Sequence, residues 1–109
     1  MAAVGAAAQT TAAWPLTVQL TSGSRFCNEG TRATIRVTGN ALSIYYQGES
    51  FARWTIPLGA DGSADATVRA LNDDLQVDYV HVKVPAGTGP RELSAVSQRD
   101  ACRWRLLPG

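Results

Sequence analysis

Nine of the ten cationic side chains in this chain are arginines, against the single Lys83. Planar guanidinium groups recognise carboxylate, phosphate or sulfate through paired hydrogen bonds, so clustered arginines are the first candidates for chemistry. Arg32, Arg36, Arg53 and Arg69 form the candidate binding set, with Tyr45 on the face of Arg32 and Arg36 as a ring for stacking or sugar contact. A compositional reading competes with it. A GC-rich genome inflates Arg and Ala together, and the chain holds seventeen alanines. The lone His81, with Ser94 opposite and Asp78 near in sequence, has the residue types of a hydrolytic triad. No nucleophile elbow accompanies it, and a solvated histidine on a sheet face is the expectation. Asp61, Ser63 and Asp65 alternate as calcium ligands do, but Ala66 and Asn72 stand where such a loop needs Gly and Glu. A turn explains Asp61-Gly62 better. Two cysteines and one histidine do not complete a closed four-ligand zinc site. No metal and no cofactor are expected.

Cys27 and Cys102 instead read as a disulfide, the usual meaning of an even count in a short exported chain. Closing a loop of about 76 residues stabilises by roughly 4.5 kcal/mol in the chain-entropy treatment. The bond implies an oxidising compartment.

These side chains need elements to position them, and 109 residues with 45% hydrophobic content supply one modest core. That size excludes separate cofactor and substrate domains. A net charge of +1 argues against a nucleic-acid partner. No apolar run approaches the ~18 residues of a membrane helix. Segments of five to ten residues alternate apolar with polar between Gly, Pro, Asn and Asp clusters, which is the period of half-buried strands.

A two-residue turn at Gly39-Asn40 sets Val37 against Leu42, Ile35 against Ile44 and Ala33 against Tyr46 on one face. Arg36 then meets Ser43, Thr34 meets Tyr45 and Arg32 meets Gln47 on the other. A three-residue loop Ala60-Asp61-Gly62 pairs Gly59 with Ser63, which sets Trp54 against Val68 and Arg53 against Arg69. Pro57 marks an edge or a non-bonded position. Across residues 85–90, Val84 pairs Arg91, Lys83 pairs Glu92 and Val82 pairs Leu93. The parity of Leu75, Val77 and Tyr79 against Val80, Val82 and Val84 predicts a β-bulge near Asp78–Val80. A short helix starting at Pro90 is the competing reading there. Trp54 and Trp104 fall on inward parities, while Trp14 either caps the core or lies at an edge. The fold expected is all-β: a small antiparallel sandwich or barrel of about eight short strands closed by one disulfide.

Residues 1–13 carry no charge and hold small-residue runs like the end of a secretory signal. They are read as a signal-peptide remnant or a disordered leader, with a single β-domain over 14–109. Phe26-Cys27, the Trp54-x-Ile56 strand with Asp61-Gly62-Ser63, and the closing Cys102-Arg103-Trp104-Arg105-Leu106 together resemble the small secreted β-domains of proteobacteria. That resemblance spans roughly residues 14–107 and implies a disulfide-closed fold in the periplasm or cell exterior. Periplasmic lysozyme inhibitors of the membrane-bound C-type class are similar in size, β architecture and disulfide. Where their inhibitory loop reads Ser-Gly-x-x-Tyr, Ser22-Gly23-Ser24-Arg25-Phe26 ends in Phe, and their Trp-x-x-Lys-Gly has no counterpart. The expected function is a non-catalytic binding module, its partner a protein or an anionic or glycan group of the envelope met through outward arginines. A hydrolase inhibitor using the 84–91 loop and a small hydrolase centred on His81 are the alternatives.

Overall fold

The structure is a computed structural model, and it describes residues 10–109. Eight strands run up and down in chain order: β1 (Thr10–Ser22), β2 (Arg32–Thr38), β3 (Ala41–Tyr46), β4 (Trp54–Pro57), β5 (Ala64–Leu71), β6 (Val77–Val84), β7 (Leu93–Ser97) and β8 (Arg103–Pro108). Each is antiparallel to its neighbours, and β8 pairs with β1 to close a barrel. Closure gives each strand a neighbour on both sides among the described residues. Of the expected leader, residues 1–9 lie outside the described residues. Thr10–Ala13 belong to β1, whose ladder with β2 carries on through Ala13↔Arg36 and Ala12↔Val37 to Thr10↔Thr38.

The β2–β3 hairpin has the register expected from its turn, Val37↔Leu42, Ile35↔Ile44 and Ala33↔Tyr46. Gly39 takes the positive φ of 61° that a Gly-first two-residue turn requires. The β4–β5 hairpin starts as expected, with the Gly59 amide donating to the Ser63 carbonyl at 2.8 Å. It then drifts by two residues, so that Trp54 meets Ala70 rather than Val68. Only that pair is laddered between β4 and β5, and Pro57, which has no N–H to donate, lies where the two strands have parted.

The β6–β7 ladder is likewise offset by two from expectation. Lys83 meets Ser94, His81 meets Val96 and Val82 meets Ala95, while Arg91 stays in the loop. Glu92 pairs with Arg105 at 2.8 Å instead of with Lys83. Residues 93–97 are strand, so no helix starts at Pro90. No bulge interrupts β6, whose ladder with β5 is continuous from Ala64↔Val84 to Leu71↔Val77. Val77 and Tyr79 simply face outward, and Asp78 faces in.

Leu16, Ile35, Leu42, Ile56, Val82 and Leu93 fill the barrel to 1% exposure or less. The end formed by the β2–β3, β4–β5 and β6–β7 loops is shut. There the Gly87 amide donates to the Asp61 carbonyl at 2.9 Å. Arg91 donates from Nε to Pro85 O, from Nη1 to Gly89 O and from Nη2 to Gly62 O at 2.7–2.9 Å. Its guanidinium lies 5.6 Å over the ring of Trp14, which is buried and caps the core.

Candidate functional site

At the opposite end, the β1–β2, β5–β6 and β7–β8 loops line a cavity of about 390 Å³. The hollow follows from side-chain sizes. Trp54 stands opposite Ala70 and Trp104 opposite Ala95, so small residues on β5 and β7 leave space in front of two indoles. Ile44 and Leu106 form apolar wall deeper in, and Tyr46 adds a third ring. Burial raises the Tyr46 phenol above its usual pKa, so it stays neutral at physiological pH. Aromatic walls with a few polar groups at a barrel mouth are the ordinary make-up of a ligand pocket.

Side-chain bonds lace the mouth. Trp104 Nε1 donates to the Asn28 carbonyl at 2.8 Å, and Asn28 Nδ2 donates to Asp73 across to the β5–β6 loop at 2.7 Å. Arg99 donates to Gln76 Oε1 at 2.8 Å, tying the β7–β8 loop to the β5–β6 loop. Inside, the buried Asp78 carboxylate accepts from Ser97 Oγ, the Tyr79 amide and the Arg99 amide. A buried carboxylate needs such donors. The Cys27–Cys102 disulfide, with Cα atoms 5.7 Å apart, joins the β1–β2 loop to the residue before β8 and forms part of the rim.

Arg53 was expected on the outer face against Arg69, and that placement is corrected. Its carbonyl accepts from the Leu71 amide, and its side chain is buried to 6% exposure. Nε and Nη2 grip Glu49 at 2.7 and 2.6 Å, and Nη1 donates to the carbonyls of Asn72 and Leu71. The guanidinium lies 4.5 Å over Tyr46. Residue 53 precedes β4, so strand alternation does not govern it, and it clasps the β3–β4 loop to the β5–β6 loop. Its hydrogen bonds hold the Glu49 carboxyl below the usual glutamate pKa despite partial burial. A carboxylate with a depressed native pKa contributes stability above its unfolded-state pKa and loses it as pH falls through the native one. Arg53→Met is expected to cost about 3 kcal/mol near pH 7, at the low end for a broken buried pair because Glu49 keeps 23% exposure. In denaturant titrations the gap from the parent should narrow as pH falls below the ordinary glutamate pKa and through the lower native one, where Glu49 loses its charge.

Arg32, Arg36 and Tyr45 do come together, lining one shallow outer depression with Gln47 and Glu49. The Arg36 guanidinium sits 5.1 Å over Tyr45. Arg69 is elsewhere, on the outer face of β5 opposite Tyr79. His81 is half-exposed on the outer face of β6, its Nε2 against Asp65 and its Nδ1 3.0 Å from Thr67 Oγ1. Asp78 points into the barrel instead, and Ser94 stands opposite Lys83, so the three triad types do not converge. Asp61 accepts from the Ser63 amide and hydroxyl at 2.9 and 2.6 Å, a turn-stabilising arrangement.

The sequence signals missed the hollow end, the inward Asp78 and the plugging role of Arg91. Only Ala70 and Ala95 opposite tryptophans hinted at the cavity, and that hint needs the true register. No known protein family, curated protein or solved structure matches the chain.

Proposed function

We propose that the chain is a non-catalytic binding module of the periplasm or cell exterior and that it engages its ligand at the open end of the barrel. One observation carries this reading. The large apolar side chains left exposed among the described residues, Phe26, Phe51, Leu75, Val77 and Tyr79, all lie in the loops at that end or in the first residues of β6 beside them. Apolar surface gathered around a cavity mouth is the usual mark of a binding face. The disulfide is compatible with an oxidising compartment and supports export. The inhibitor reading gains little from the 84–91 loop, which packs against the β4–β5 turn. The hydrolase reading gains little from His81, which is half-exposed on the outer face of β6 and does not line the open-end cavity.

A neutral fluorescent probe, N-phenyl-1-naphthylamine, tests the open end. It is expected to bind one to one and to shift the indole resonances of Trp54 and Trp104. Ala95→Phe, or Ala70→Leu should the first variant misfold, fills the hollow and is expected to weaken the probe by about tenfold or more. No binding to the parent, or unchanged binding to a folded filled variant, overturns the reading.

A second reading rests on the shared depression of Arg32, Arg36 and Tyr45, which suits an anionic group. Loss of ligand capture by Arg32→Ala with Arg36→Ala, with capture retained by Ala95→Phe, favours that face instead.

A further inference from the structure

We propose that the open-end cavity holds a small organic cation, a protonated or quaternary amine carried on an apolar stem. The inference rests on the open end being the binding face and adds the chemistry of what enters it. The stem is accommodated by the hollow itself, whose about 390 Å³ lies within the range that encloses a small organic molecule. The rings of Trp54 and Trp104 line it, beside Tyr46, which already carries the Arg53 guanidinium, and the faces of such rings attract cations through their quadrupoles.

The sign of the charge is set at the mouth. Asp73, Asp74, Asp78 and Asp100 line the cavity against one cationic side chain, Arg99, in a chain whose overall charge is +1. Apolar walls focus such a field. Asp78 and Asp73 already have partners, Asp78 in Ser97 and two amides, Asp73 in Asn28 and, at 3.8 Å, Arg53. Asp74 and Asp100 differ. Among the described residues, no side-chain hydrogen bond or ion pair engages either carboxylate. They belong to different loops, β5–β6 and β7–β8, and Arg99 between those loops is held by Gln76 rather than by a carboxylate.

The same geometry disfavours a metal ion. Among the described residues, no three His, Cys, Asp or Glu side chains come close enough together to hold one. Carboxylates spread around an aromatic hollow suit a bulky cation with diffuse charge, and they repel an anion.

Three probes of one shape separate the possibilities: 4-phenylbutylammonium, 4-phenylbutanol and 4-phenylbutyrate, each displacing N-phenyl-1-naphthylamine from the full chain. The ammonium is expected to bind about tenfold tighter than the alcohol at low salt, and the carboxylate weakest. Asp74→Asn with Asp100→Asn, both at exposed positions, should shrink the ammonium preference to less than about threefold, as should molar salt. Asp61→Asn, at the shut end, should leave the preference in place. Equal displacement by all three probes overturns the cation inference and leaves the binding face standing. A preference that survives in the double variant overturns the assignment of Asp74 and Asp100 as the charges that set it. If neither the naphthylamine nor any of the three binds, the binding face falls as well.

Discussion

Gly62→Ala is expected to lower the stability of the barrel by about 3–4 kcal/mol, through two independent causes. Gly62 has φ +84°, where a side chain is strained, and a Cβ there would be driven into the carbonyl oxygen of Gly87. That oxygen belongs to backbone, so it cannot rotate away as the end of a flexible side chain can. The Gly87 amide is fixed to the Asp61 carbonyl, and Arg91 grips the Gly62 carbonyl from the other side. Relieving the clash therefore means lifting the β6–β7 loop off the β4–β5 turn and uncovering the shut end. Gly59→Ala makes the control, since a Cβ at Gly59 meets nothing closer than 3.5 Å. Guanidinium unfolding of both variants measures the difference. A loss of under about 1 kcal/mol at Gly62 would mean the two loops are not in contact.

Removal of the disulfide is the second large effect. Cys27→Ala with Cys102→Ala is expected to cost about 4 kcal/mol, close to the chain-entropy value for a sequence separation of 75. Domains of this size hold only about 5–15 kcal/mol in all, so the variant should fold but unfold readily. Its barrel is expected to close, because the β1–β8 ladder is built from backbone pairs that do not need the sulfurs. The denatured chain, freed of its long loop, exposes more surface, so the m-value should rise alongside the fall in midpoint. Freed from Cys102, the β1–β2 loop is also expected to loosen at the Trp104–Asn28 bond, visible in the Trp104 emission. A midpoint unchanged on reduction of the parent contradicts the pairing as a constraint on folding.

Much of the architecture was legible residue by residue. Alternation placed Ile35, Leu42, Ile56 and Val82 inward, and all four are buried. The Gly39-Asn40 turn predicted the whole β2–β3 register because a two-residue turn leaves no freedom. The two other hairpins were each misread by two residues, and the size of the error is informative. A slip by one turns every side chain to the wrong face, whereas a slip by two leaves each on its own face and changes only its partner. Hydrophobic pattern therefore rejects the first and is blind to the second. The longer loops at 58–63 and 85–92 left that choice open.

Arg53 and Asp78 were misjudged for a related reason. Local pattern assigns an arginine outward and resists an inward aspartate, since an unpartnered buried charge is costly. What makes both tolerable is donors and acceptors far along the chain: Ser97 for Asp78, the carbonyls of Leu71 and Asn72 for Arg53. Of the outer candidates, Arg32, Arg36 and Tyr45 came together because one short hairpin sets their spacing.

Strand number, facing and the pairing of Cys27 with Cys102 were thus written locally, in period-two alternation, turn residues and a count of two. The stagger between strands, and with it the alanines opposite tryptophans that hollow out one end, was decided by closure. Joining β8 to β1 requires the ladders to share a fixed total offset, and no single segment carries that sum.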